Sequence, residues 1–179
     1  MSSKQELDFE AYKAEGKRQA QEFIEKRDEL YEKYPDYYDA DEIECLDLIM
    51  KREFAEAIIR GEKKVEFRAY TEKYENMLYD EEVLKFMEEH LDDPLVQECA
   101  DALKEVKTIR FRNYNKSWEL VVECEVNDII IADKESVWYL QEQYGCHELD
   151  EVYEKTKNSR KKNVYFYFVI GKILKRENI

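Results

Sequence analysis

Three charged side chains, Lys63, Glu66 and Arg68, follow closely on a glycine in the run FAEAIIRGEKKVEFR. A lysine and an arginine there suit phosphate, and a carboxylate suits a base edge or the orientation of the two cations. In a hydrolase, Lys63 and Glu66 would be the working groups, with Glu66 as general base. The plainer reading is a Glu–Arg pair on a strand surface, which contributes little. A second group, Arg110, Arg112, Tyr114 and Lys116 with Trp118 close by, mixes cations with aromatic rings. Single-stranded nucleic acid is held in that way, with bases stacked on rings and cations along the phosphates. With 14 tyrosines in the chain, strand-surface residues beside a core aromatic account for the same pattern equally well. Arg160, Lys161 and Lys162 make a basic loop, a type that is more often a solvated turn.

His90 and His147 are far apart in the sequence, and Cys146, His147 and Glu148 are adjacent, which rarely chelates one metal. No metal and no cofactor are expected. No serine or cysteine stands in a recognisable nucleophile setting, and there is no glycine-rich phosphate loop.

The elements that carry these residues follow from apolar spacing. Residues 4–33 predict a surface helix with a loose apolar stripe, weakened at Gly16, the place where it could split in two. Ile43–Met50 predicts a buried strand, and Arg52–Arg60 a short helix with Phe54, Ala55, Ile58 and Ile59 on one face. Gly61 ends that helix where a left-handed residue is favoured. Lys63–Ala69 predicts a strand with Val65 and Phe67 on one face and Lys64, Glu66 and Arg68 on the other. Two acidic helices follow, about Asn76–His90 and one restarted at Asp93-Pro94. Thr108–Tyr114, Trp118–Ile131 and Asn163–Leu174 read as strands, with helices over Glu135–Tyr144 and Leu149–Lys157. Gly171 suggests a bulge. The fold class is α+β: a small, mostly antiparallel β-barrel with inserted helices. Residues 1–42 would be an N-terminal helical extension. Residues 43–179 would be the barrel domain, interrupted by an acidic helical insert at about 71–106.

Composition narrows the function classes. The net charge is −14, but it is uneven. Residues 74–106 carry 2 basic and 11 acidic groups, whereas residues 155–179 carry 8 basic and 1 acidic. Local potential, not the total, decides whether a polyanion docks. No apolar run approaches the roughly 20 residues that cross a bilayer, and the polar start of the chain is no secretory signal. Four cysteines without CxxC spacing fit a reduced, cytoplasmic interior.

The run FAEAIIRGEKKVEFR resembles the signature of the ASCH family, whose members share the PUA-like barrel. The matching positions are Lys51, Phe54, Gly61, Lys63, Glu66 and Arg68. TIRFRNYNKSWELVVECEV is similar to the family's central strand pair and VYFYFVIGKIL to its closing strand. The resemblance covers about residues 43–179 without the helical insert. It implies a cleft beside the first helix of the barrel and a nucleic-acid or nucleotide-derived ligand. Some small members deacetylate acetylated cytidine, and ribonuclease activity is found in the family. Those amidohydrolases carry a catalytic threonine at the position of Glu66, so this chain lacks one member of that set.

Three readings follow. The first is a cytoplasmic module that binds RNA or a nucleotide through Lys51, Gly61, Lys63, Glu66, Arg68, Arg110, Arg112, Tyr114 and Trp118. The second is a hydrolase of a modified nucleoside or of RNA, with Lys63 and Glu66 catalytic. The third is an acidic interaction protein whose helices bind a basic protein partner or imitate the charge of DNA. No membrane partner is expected.

Overall fold

Runs of alternating apolar residues make five strands in the computed structural model, which describes residues 8–179. In chain order these residues form α1 (Phe9–Lys33), β1 (Ile43–Ile49), α2 (Arg52–Ile59), β2 (Val65–Ala69), α3 (Glu72–Leu78), α4 (Glu81–Glu89) and α5 (Pro94–Cys99). There follow β3 (Val106–Arg112), β4 (Glu119–Ile131), α6 (Lys134–Tyr144), α7 (Asp150–Thr156) and β5 (Val164–Glu177). The chain divides into two compact units: residues up to Ala40 with Asp80–Ala102, and Asp41–Tyr79 with Leu103–Ile179.

The second unit is built on one sheet of strand order β1-β3-β4-β5-β2. Only β1 and β3 run parallel; the other three pairings are antiparallel. β1 and β2 stand at opposite ends of that order, each with a single ladder, so the expected barrel is not closed by backbone hydrogen bonds. The two ends are instead joined by a side chain, because the Arg68 guanidinium on β2 donates to the Ile49 carbonyl on β1 at 3.0 Å. Leu46 and Leu48 of β1, Ile109 and Phe111 of β3, Leu120 and Val122 of β4, and Phe166 and Phe168 of β5 bury one face, with Ala55 and Ile58 of α2. Ile130, Val137 and Leu140 form a smaller core, against which Phe67, Tyr165 and Tyr167 pack. Gly171 is required where β4 and β5 lose register. A Cβ there would stand 2.9 Å from Glu125 Cγ and 3.2 Å from Glu123 Cβ.

The opposite face of β1, β3, β4 and the end of β5 carries charge. Asp47, Arg110, Arg112, Glu119, Lys175 and Glu177 form a run of ion pairs across these strands. The Lys175 ammonium, hydrogen-bonded at 2.6 Å, holds the Glu119 carboxyl below its ordinary range.

Two expectations from the sequence fail. Gly16 does not split α1, which runs unbroken through it; the turns on both sides keep their hydrogen bonds, and glycine weakens a helix without forcing it to stop. Residues 4–7 of the predicted helix lie outside the described residues. The acidic insert holds three helices instead of two. Tyr79 is extended and bridges Leu103, and the Asp80 carboxylate then restarts the chain by accepting from the Glu82 and Val83 amides.

In the first unit, Asp93 caps α5 by accepting from the Leu95 amide at 3.0 Å and also receives Lys33 Nζ at 2.6 Å and the Tyr34 hydroxyl. The Lys33 hydrogen bond first, then that of Tyr34, lowers the Asp93 pKa to about 2. A depressed carboxylate stabilises the folded state above its unfolded pKa and loses that contribution as pH falls through the folded one. Urea melts followed by circular dichroism are therefore expected to find Asp93→Asn less stable than wild type at pH 7, with the difference shrinking as pH falls from about 4 to about 2.

Candidate functional site

α2 begins directly after β1, and its first residue follows Lys51, an extended N-cap with no side-chain hydrogen bond to the helix. The amides of Phe54 and Ala55 reach back to the Lys51 carbonyl. The amides of Arg52 and Glu53 precede the first intrahelical bond, and such orphan donors with the helix dipole favour an anion. α2 stops at Arg60, and Gly61 takes φ +74°, so that the amides of Glu62 and Lys63 fold back onto the Ala57 carbonyl at 2.9 and 3.2 Å. That reversal delivers Lys63 to the start of β2.

Lys63, Glu66 and Arg68 meet in one network, but within the fold and not on a polar outer face. Glu66 and Arg68 pair with Phe168 and Phe166 across β2 and β5, and they share the face on which those two phenylalanines enter the main core. The alternation expected along β2 holds; its polar face is the interior one. Lys63 is 8% exposed and Glu66 7%. Lys63 Nζ donates to the Val65 carbonyl at 2.8 Å and pairs with Glu66 Oε2 at 3.2 Å and Glu148 Oε1 at 2.5 Å. It also lies 5.9 Å from the centre of the Phe54 ring. Arg68 Nη2 pairs with Glu66 Oε1 at 2.7 Å, and Nη1 reaches the Tyr74 hydroxyl at 3.4 Å. Both Glu66 oxygens are thus held by cations. The network fills the seam between the two ends of the sheet.

A cleft of about 590 Å³ opens beside that seam. The β1–α2 junction contributes Ile49, Met50, Lys51 and Arg52 to it, and the β3–β4 turn contributes Asn113, Tyr114, Ser117 and Trp118. Tyr114 is 89% exposed at the tip of the turn, whereas the Trp118 ring is 3% exposed and belongs to the core. The turn is fixed by its own polar groups: Asn113 Oδ1 accepts from the Ser117 amide at 2.9 Å, and Asn113 Nδ2 donates to Ser117 Oγ at 2.6 Å. Arg52 is committed to Glu56 at 2.7 Å and to the Asn178 carbonyl at 3.0 Å. Lys51 forms no ion pair among the described residues.

Of the residues singled out in the sequence, Lys51, Tyr114 and Trp118 line this cleft, and Lys63, Glu66 and Arg68 meet in the seam beside it; Gly61 is exposed at the reversal that leads into β2. Arg110 and Arg112 lie elsewhere, on the charged sheet face. Arg112 pairs with Asp47 at 2.9 Å, and Arg110 stands 3.5 Å from both Asp47 and Glu119. Sequence reasoning missed Arg52, Asn113, Ser117 and Glu148. The run Asn113-Tyr114-Asn115-Lys116-Ser117, rich in turn formers, marks the tight loop. Glu148 carries no such signal, since only the fold brings it to Lys63. Among the described residues no three of His, Cys, Asp or Glu converge as metal ligands, and no helix is long and apolar enough to cross a membrane.

No protein-family model matches the chain, and no curated protein matches it. Among solved structures, the crystal structure of a single-residue mutant of ZmASCH from Zymomonas mobilis is similar to it. The likeness spans 77% of this chain and 76% of that one, with 15% sequence identity and a TM-score of 0.39. A likeness of that size fixes neither the fold nor the activity of this chain.

Proposed function

We propose that the sheet unit is an ASCH-like domain that binds single-stranded RNA or a nucleotide in the cleft between the β1–α2 junction and the β3–β4 turn. One observation carries this reading: Lys51, a cation with no ion pair among the described residues, at a helix start with open amides, stands in the same cleft as the exposed Tyr114. The cation and the open amides suit a phosphate; the Tyr114 ring suits a base, while Trp118 backs the cleft from the core. The resemblance of the FAEAIIRGEKKVEFR run to the ASCH signature supports the same ligand class, and four free thiols support a reducing, cytoplasmic setting. Lys63 and Glu66, already held by three and two partners, serve here as scaffold and not as a hydrolytic pair.

Fluorescence anisotropy with a short single-stranded RNA, titrated with salt, tests it. Lys51→Gln is expected to weaken binding about tenfold at low salt and to reduce the log–log salt slope by about one. Tyr114→Ala is expected to weaken binding by about fivefold or more while leaving the slope unchanged. Wild-type protein that binds neither RNA nor a mononucleotide at low salt, or a Lys51→Gln protein that binds as tightly as wild type, overturns it.

A further inference from the structure

The Ile49 carbonyl stands where a parallel strand turns away from its partner. Met50 donates its amide to the Arg112 carbonyl of β3 at 2.9 Å. Strand alternation then turns the Ile49 carbonyl the opposite way, toward the free edge of β1. Among the described residues no strand lies there to supply a donor, so this carbonyl must take one from a side chain or from water. Arg68 Nη2 supplies it at 3.0 Å.

The guanidinium is itself fixed. Glu66 Oε1 holds Nη2 at 2.7 Å, Lys63 holds the other oxygen of Glu66, and Tyr74 receives Nη1. Arg68 Nε has no hydrogen-bond partner among the described residues but is buried, which closes that edge of the fork to a ligand in the cleft. The residue whose carbonyl Arg68 grips opens the segment Ile49–Arg52 that lines the cleft.

Resting on the proposed cleft, we infer that Arg68 is a positioning residue. It acts on the ligand through the Ile49 carbonyl, holding the Ile49–Arg52 wall in place, and makes no contact with phosphate. Lys63 and Glu66 stand behind it as the brace. A cation that touches phosphate and a cation that braces a wall differ in one measurable respect. Only the former releases a counterion, so only its removal changes the salt dependence of binding.

The test uses the full chain with Arg68→Gln, Arg68→Lys and Lys51→Gln, read in two ways. In salt-titrated binding of a short single-stranded RNA, Arg68→Gln is expected to lose about tenfold in affinity with the wild-type slope, whereas Lys51→Gln lowers the slope by about one. Arg68→Lys, which keeps the charge beside Glu66 but not the forked reach to Ile49, is expected to recover only part of the affinity. By amide hydrogen exchange, Arg68→Gln is expected to speed exchange over Met50–Phe54 and to leave Ile109–Phe111 as in wild type. A slope lowered by about one in Arg68→Gln, or unchanged exchange over Met50–Phe54, overturns the inference. If Arg68→Gln fails to fold, Arg68→Lys decides by exchange alone: faster exchange over Met50–Phe54 supports the inference and wild-type exchange there overturns it. If the wild type binds no RNA and no nucleotide, the proposed function falls, and the exchange result alone decides whether Arg68 braces the wall.

Discussion

Replacing Glu66 by alanine is expected to destabilise the sheet unit by about 3 kcal/mol, because it leaves two cations facing each other in a buried seam. Glu66 is 7% exposed, and its two oxygens divide Lys63 from Arg68. Without it, Lys63 keeps Glu148 and the Val65 carbonyl, but Arg68 keeps only the Ile49 carbonyl and a long contact to Tyr74. The loss comes chiefly from charge left without a counterpart, more than from any large net value of the pair. A double variant, Glu66→Met with Arg68→Met, is therefore expected to recover most of the stability by replacing ions with apolar volume. Urea unfolding followed by tryptophan fluorescence checks this, since Trp118 and Trp138 both belong to the sheet unit. A single-variant loss below about 1 kcal/mol would show that water already reaches the seam.

An effect of similar size, from a different cause, is expected for Phe111→Ala. Phe111 is fully buried on β3, with Leu48 opposite it on β1 and Leu120 opposite it on β4. Its ring joins the residues of four strands in one core with α2. Removing it discards apolar burial and leaves a void that flanking strands cannot close, for a loss of about 3–5 kcal/mol. Phe111→Leu, which keeps much of the volume, is expected to lose less than half of that. The same urea experiment reads both. Equal losses for the two variants would mean that ring shape, and not volume, governs the site.

These two positions mark what the sequence made legible and what it did not. Phe111 was readable because TIRFRNY alternates, and a middle strand with one apolar face has one way to lie. The β1–α2–β2 unit and the stop at Gly61 were readable from helical spacing and from a glycine in a left-handed position. Glu66 was placed on the correct side of its strand but expected outside, because a charged face normally meets water. Here the sheet lacks a closing ladder, and the interior of its seam is polar for that reason. No local pattern encodes this; it depends on how far apart β1 and β2 stand after three other strands have been laid between them. Arg110 and Arg112 show the converse. Their alternate spacing puts both on one outward face, but the acids that occupy them, Asp47 and Glu119, come from neighbouring strands. The break at Tyr79-Asp80 was missed because apolar periodicity continues across it, and only the Asp80 cap reveals the new start.

The pairing of β2 sets a schedule for assembly. Its one ladder matches Val65 to Val169 and Ala69 to Tyr165, a partner about a hundred residues downstream whose approach carries the entropy of closing a long loop. β3 and β4, joined by a six-residue hairpin turn with its own hydrogen bonds, are the strands that meet first. Until β5 has emerged and docked along β4, Arg68 has no fixed strand from which to reach Ile49. The Ile49–Arg52 wall of the cleft is thus among the last parts of the molecule to acquire its shape, and a nascent chain halted before residue 165 is expected to lack it.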